Sequence, residues 1–168
     1  VKFSTGQLND SFKLSGRLSK IDSDGYIDRA YSDLKSYFIQ GAYSKGNTLI
    51  KALTFGGHEK TYQSWYGVSR DQLLENRRQN PYTYENEIDN YKQDHYQFHW
   101  NQSYKNGFKS NFGLHYTYGR GFFENYNLAN DSSSSDYIDR RWLDNNFYGM
   151  IFSLNKKTDN YNFFHDCS

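Results

Sequence analysis

Proline and cysteine each occur once in the 168 residues. One proline against 13 glycines excludes collagen-like repeats and proline-rich linkers. The single cysteine, Cys167, cannot form an intrachain disulfide or a thiolate metal cluster. Neither sign of charge is in excess: 20 Lys+Arg against 19 Asp+Glu leave a formal +1, which gives no electrostatic reason to expect a nucleic-acid partner. No run of about 18 apolar residues occurs, so a transmembrane helix is excluded, whereas a membrane-spanning sheet is not. The first residues, Val1 to Gly6, lack the charged and apolar regions of a signal peptide. What the chain has in abundance is aromatic rings, with 17 Tyr, 13 Phe and 3 Trp making up 20% of it. That content excludes a disordered chain, although the mean hydropathy is −1.01. The length suits one domain or a piece of a larger one.

The rings recur with period 2. Phe112, Leu114, Tyr116 and Tyr118 share one strand face, opposite Gly113, His115 and Thr117. Tyr96, Phe98 and Trp100 do the same opposite Gln97, His99 and Asn101, and Asn106-Gly107 between the two segments predicts a tight hairpin with both turn residues at positive φ. Phe12, Leu14 and Leu18 alternate with Lys13, Ser15, Arg17 and Ser19; Tyr148, Met150, Phe152 and Leu154 alternate with Gly149, Ile151, Ser153 and Asn155. Strands are further predicted over residues 33–43, 48–55 and 160–164, for seven or eight in all at hairpin spacing.

The connections alternate in length. Turns near Ser44, Lys105 and Lys156 are short, whereas the links 20–32, 57–90 and 120–143 are long and polar. That asymmetry, with apolar-out and polar-in strands, predicts an all-β fold: an antiparallel up-and-down transmembrane β-barrel meander with aromatic girdles in the outer membrane. The alternative with the same alternation is a soluble β-sandwich or lipocalin-like barrel, whose aromatic faces form the core.

Several segments, in order along nearly the whole chain, resemble the N-terminal half of the barrel of Bacteroidetes-type TonB-dependent outer-membrane receptors. They are residues 1–6, 16–29, 32–37, 54–68, 89–97 and 140–149, including the runs Asp22-Ser23-Asp24-Gly25-Tyr26-Ile27-Asp28-Arg29 and Thr54-Phe55-Gly56-Gly57-His58-Glu59-Lys60-Thr61-Tyr62-Gln63-Ser64-Trp65-Tyr66-Gly67-Val68. The resemblance implies a 22-stranded barrel with a separate plug domain. Such a receptor imports an iron chelate (a siderophore) or a similarly scarce nutrient with energy from the TonB complex. Residues 1–168 are then expected to be a partial β-barrel domain, without the plug, the TonB box or a closing C-terminal strand, and residues 163–168 depart from the family pattern. Seven or eight strands leave two open edges, which cannot face lipid unpaired. The expected partners are the remainder of the receptor or the barrel-assembly machinery, the TonB complex through the missing plug, and outer-membrane lipid. A client of the assembly machinery, or a non-transporting binding barrel, is the alternative function.

No catalytic motif is present: there is no Gly-x-Ser-x-Gly elbow, His-Glu-x-x-His or phosphate-cradling glycine loop. An outer-membrane acyl hydrolase needs a Ser and a His at adjacent lipid-facing positions, and His99 and His115 have lumen-facing parity, so no enzyme is expected. His95, His99 and His115 fall on neighbouring strands without the convergent spacing of a metal site. Asp22, Asp24, Gly25 and Asp28 resemble a calcium loop, but Asp33 stands where a bidentate Glu is required, and a solvated turn accounts for them. No cofactor is expected. Candidate ligand-binding residues lie around the 57–90 link: Glu59, Tyr62, Gln63, Trp65, Tyr66, Arg77 and Arg78, aromatic and cationic groups able to hold an anionic chelate. Ser69 and Gln72 in this link form a capping-box pattern for a short helix.

Overall fold

The computed structural model describes residues 1–129, 135–157 and 162–167. Eight strands form one antiparallel sheet in chain order: β1 Lys2–Leu8, β2 Phe12–Ser23, β3 Ser32–Lys45, β4 Thr48–Tyr62, β5 Ile88–Ser103, β6 Phe108–Asn127, β7 Tyr137–Lys157 and β8 Asn162–Cys167. The one helix among the described residues, α1, is Arg70–Glu75. The all-β up-and-down meander is as expected. The sheet does not close on itself, since β1 and β8 stand at its two ends.

Nearly unbroken residue-for-residue pairing lines up side chains of one parity in rows across the strands. One such row is Gly16, Ile39, Thr54, Tyr96, Tyr116 and Tyr148. The next two toward the short turns hold Leu14, Gly41, Ala52, Phe98, Leu114 and Met150, then Phe12, Tyr43, Ile50, Trp100, Phe112 and Phe152. The opposite face carries Gln40, Leu53, Gln97, His115 and Gly149 in one row and Phe38, Phe55, His95, Thr117 and Phe147 in another. Over β3–β6 the aromatic face is the more open one, with Tyr96 48% and Tyr116 40% exposed while His115 is half-buried; on β7 both faces are open, Tyr148 being 77% and Phe147 64% exposed. An aromatic core of the kind a soluble sandwich needs is therefore not formed by these rows. The buried hydrophobic residues among those described are Tyr62, Tyr82 and Ile88, and all three sit at the long-loop end.

On the polar face, rings stand against glycines of the neighbouring strand. Tyr91 covers Gly119 and Gly121, His115 covers Gly149, and His99 flanks Gly113. A Cβ at Gly149 would come within 2.7 Å of His115 Cε1. Missing Cβ atoms are thus replaced by a ring from across the strand pair, a known way to support glycine in sheets.

The connections keep the predicted asymmetry and correct its details. Segments 9–11, 46–47 and 104–107 join strands at one end; 24–31, 63–87 and 128–136 do so at the other. The long links are shorter than expected because strands continue into them. Residues 120–127 and 137–143 were expected to be loop but are paired strand, with Arg120 opposite Asp144 and Asn127 opposite Tyr137. Polar residues there hide the strand signal, because neither face alternates with apolar groups. At 104–107 only Gly107 has positive φ, +82°; Asn106 does not, so the turn is a three-residue loop closed by the Tyr104 N–H to Phe108 O bond of 2.8 Å, not a two-residue turn. Gly46, first of the two residues joining β3 and β4, has φ +56°. Strand β1 was not predicted: a register shift between Ser4 and Gln7, with Gly6 at φ +71°, interrupts its period of 2. β8 starts at Asn162; residues 158–161 of the predicted turn and strand, and Ser168, lie outside the described residues.

Candidate functional site at the long-loop end

The 63–87 loop folds into a pad against the 24–31 loop and the top of the β6–β7 hairpin. Arg29 holds the lower side. It adopts φ +66°, and its guanidinium donates to the Tyr82 carbonyl (Nη2, 2.6 Å; Nε, 3.1 Å) and to the Asn80 carbonyl (Nη2, 3.0 Å). Asn80 is buried; its Nδ2 donates to the carbonyls of Asp28 and Gln63, both at 3.0 Å, and its Oδ1 accepts from the Tyr82 N–H at 3.1 Å. That last bond is the side-chain turn expected of an Asn-Pro pair, here Asn80-Pro81.

Gln63 is 1% exposed and ties three segments together. Its Nε2 donates to the carbonyls of Ile88 and Glu124, each at 3.2 Å, and its Oε1 accepts from Asn125 Nδ2 at 2.8 Å. Tyr62, also buried, donates its hydroxyl to the Tyr84 carbonyl at 2.7 Å. Two carboxylates lie inside the pad. Glu87 accepts from Asn125 Nδ2 and the Tyr126 N–H. Glu124 accepts from the Tyr84 hydroxyl at 2.8 Å, Asn86 Nδ2 at 2.9 Å and the Arg140 guanidinium.

The two acids are tuned in opposite directions. Burial pushes the Glu87 carboxyl up, and its two hydrogen bonds offset only part of that. Burial also acts on Glu124, but hydrogen bonds from Asn86, Arg140 and Tyr84, with the Arg140 charge, outweigh it and hold that carboxyl below the ordinary range. Burial, with lesser contributions from Tyr66 and Glu87, raises the Tyr82 phenol to about 12, so the ring stays neutral at physiological pH.

The predicted ligand-binding residues separate into groups. Tyr62 and Gln63 are buried in the pad with their polar atoms partnered. Trp65 and Tyr66 lie on its outside, 61% and 69% exposed, leaning on Phe123 and Tyr82 with ring centroids 6.2 and 5.2 Å apart. Arg77 is exposed after α1; Arg78 pairs with Asp28 at 3.2 Å and stands over the Tyr26 ring. Glu59 is apart from these, on the polar face of β4, beside a hollow of about 480 Å³ that Tyr91, Gln93 and His95 also line. The Ser69 capping box forms as predicted, with the Gln72 N–H to Ser69 Oγ and the Ser69 N–H to Gln72 Oε1.

Sequence reasoning missed Arg29, Asn80, Glu87 and Glu124. The Asn80-Pro81 dipeptide was the available signal; Glu124 had none, since its role depends on loop residues some forty positions away. His95, His99 and His115 all take the polar face: His95 meets Thr117 Oγ1 at 2.8 Å and stacks on Phe55, and His115 packs on Phe147. The carboxylates of the calcium-like run turn toward cations, Asp22 to Lys20 and Asp28 to Arg78, and no three His, Cys, Asp or Glu residues converge among the described residues. Comparisons with protein-family models, with curated proteins and with solved structures found no match for this chain.

Proposed function

We propose that this sheet is part of the barrel wall and extracellular mouth of a TonB-dependent outer-membrane transporter that imports an iron chelate or comparable scarce nutrient. One observation carries the reading: an outward band of rings and aliphatics, with Ile39, Tyr96, Tyr116, Tyr148 and Met150 exposed, backed by a face that interleaves Gln97, His95, His115, Thr117 and Gly149 with Leu53, Phe38, Phe55 and Phe147. Water does not favour that arrangement, whereas a hydrocarbon layer outside and a polar lumen inside do. The short connections then face the periplasm and the pad faces outward. The transporter identity, and with it the 22-strand count, the plug and the TonB complex, rests on the family resemblance alone.

In this reading Trp65, Tyr66 and Arg77 meet the chelate at the mouth by stacking and charge-assisted bonds, with Glu59 deeper on the lumen side. Tyr62, Gln63 and Arg78 hold the surface that presents them. The two open edges favour pairing with a further polypeptide segment, because unpaired backbone groups cost several kcal/mol each in hydrocarbon. That segment is the rest of the receptor, or the assembly machinery if the chain is its client.

The test has two arms. In a Cys167→Ser background, Tyr116→Cys in intact outer membranes should resist an aqueous maleimide that labels a cysteine at Tyr66; equal labelling of both refutes a lipid-facing Tyr116. Uptake of a labelled ferric chelate by cells carrying the intact protein should cease when TonB is removed. TonB-independent binding without uptake would support a non-transporting binding barrel instead.

A further inference from the structure

The hollow beside Glu59 is built by β2–β5 on the polar face, apart from the pad. Its depth comes from small residues. Ser19, Ser36 and Gly57 lie side by side in one cross-strand row, so three neighbouring strands put almost no side chain there. Gln93, the next member of that row, leans with Tyr91 toward β6, where a Cβ at Gly119 would meet Tyr91 Oη and Gln93 Nε2. What stays open is a recess of about 480 Å³, within the size range of small-molecule sites.

Two different walls face each other across this floor. On the short-turn side Phe55 and His95 stack with centroids 4.4 Å and planes 14° apart, and His95 Nδ1 is already engaged by Thr117 Oγ1 at 2.8 Å. That wall is flat and largely apolar. On the long-loop side stand Ile21, Leu34 and Glu59, successive members of the adjoining row. Glu59 is the only carboxylate bordering the hollow, and every ion pair among the described residues uses another carboxylate. Lys35 and His58 also border it, but their side chains have the opposite parity: the Lys35 ammonium reaches Asp33 and His58 Nε2 meets Asn90 Oδ1 on the other face. An anion would therefore find a negative group and no cation there. A metal ion would find too few ligands, since no three His, Cys, Asp or Glu residues converge among the described residues.

We propose that this hollow binds a small organic cation: a protonated primary amine whose ammonium donates to Glu59 and whose apolar body lies against Phe55 and His95. The ammonium carries three donors, and the Ser19 and Ser36 hydroxyls on the floor can accept those that Glu59 leaves. Charge-assisted bonds of this kind are the strong ones, and the ring pair favours a cation-bearing body over its face. The site is made by β2–β5 alone and does not rest on the transporter reading. Within that reading it lies beyond Arg77, so a cargo meets a cationic group at the mouth and an anionic one on the wall.

The test is equilibrium titration of the intact protein in detergent with 2-phenylethylammonium and with neutral 2-phenylethanol. A hydrogen bond to a charged group is worth roughly tenfold or more, so the amine should bind at least about tenfold more tightly than the alcohol. Glu59→Gln should abolish that preference by weakening the amine alone. Glu85→Gln, which removes an exposed carboxylate of the 63–87 loop, should keep it. Ser36→Phe, which fills the floor, should weaken both probes together. Equal affinity of the unaltered protein for the two probes overturns the cation class. Unchanged amine binding by Glu59→Gln overturns the site, whether or not Ser36→Phe folds. Absence of amine binding overturns it too, and a lowered Tm of Glu59→Gln would then assign the hollow to a basic side chain of another polypeptide segment. Ferric-chelate uptake is scored apart: its absence refutes the transporter reading and leaves the amine site standing.

Discussion

Replacing Glu124 with alanine removes the acceptor on which Tyr84, Asn86 and Arg140 converge. The side chain is about as buried as any among the described residues, at 2%, whereas Arg140 is 47% exposed and can return to water. Hydrogen bonds to a charged group contribute about 1.5–3 kcal/mol each. Breaking a fully buried ion pair costs about 3–5 kcal/mol, and the exposure of Arg140 moves this case toward or just under the lower end of that range. We therefore expect Glu124→Ala to destabilise the pad by about 2–4 kcal/mol, which makes local opening roughly 30- to 1000-fold more frequent. Amide hydrogen exchange over residues 80–88 reads this directly, with residues 96–101 as an internal reference. The acid response gives a second readout. Because the folded carboxyl lies below its ordinary range, its stabilisation is present above the unfolded value of about 4.3 and is lost as pH falls through the folded value. The unaltered pad should lose protection on acidification below about pH 4, and Glu124→Ala should show no such step. Unchanged exchange at residues 80–88 in the variant at pH 7 would refute the claim that Glu124 anchors the loop.

Glu87→Gln should act in the opposite direction: its raised carboxyl is favoured protonated, a contribution present below the unfolded value and lost as pH rises through the folded one, so the substitution should slow exchange of the pad at pH 7 and leave it unchanged near pH 4. If the sheet is a barrel wall as proposed, Tyr116→Lys should cost about 2–4 kcal/mol of stability and His115→Lys only about 0–1, measured by urea titration in lipid vesicles; equal costs would contradict the proposed assignment of faces. Gly121→Ala forces a Cβ against the Asn90 carbonyl and the Tyr91 backbone and should cost about 3 kcal/mol, whereas at Gly113 the nearest atom to a new Cβ is His99 Nδ1 at 3.5 Å, so Ala there should be neutral or stabilising by up to about 1 kcal/mol in the same titration.

The central strands were legible because Tyr96 to Trp100 and Phe112 to Tyr118 carry their rings at every second position, and one buried or lipid-facing side is enough to impose that period. β1 was not, since the bulge at Gly6 inverts the parity midway. The outer third of β6 and β7 was hidden for a different reason. Glu124, Asn125, Arg140 and Asp139 fall among Phe122, Phe123, Ile138 and Trp142 there, so no period of 2 runs through, and pairing is held by the ladder and by cross-strand polar bonds. The ligand-binding candidates were found by residue type, which does not distinguish a Tyr that closes a loop, such as Tyr62, from one that stays open, such as Tyr66. Burial decides between them, and it depends on Arg29 and Asn80 from segments distant in sequence.

The rings of Tyr91, His99 and His115, laid over glycines of the adjoining strand, give the polar face a low relief. Side chains that would otherwise stand upright are folded down along the wall, so the clearance in front of it is governed by backbone spacing and by the thickness of a ring. Each glycine thereby works as a recess that takes one ring of the adjoining strand. Adding a side chain at Gly149 would force the His115 ring, 2.7 Å from the new Cβ, to move off β7 without altering a single residue of the long loops.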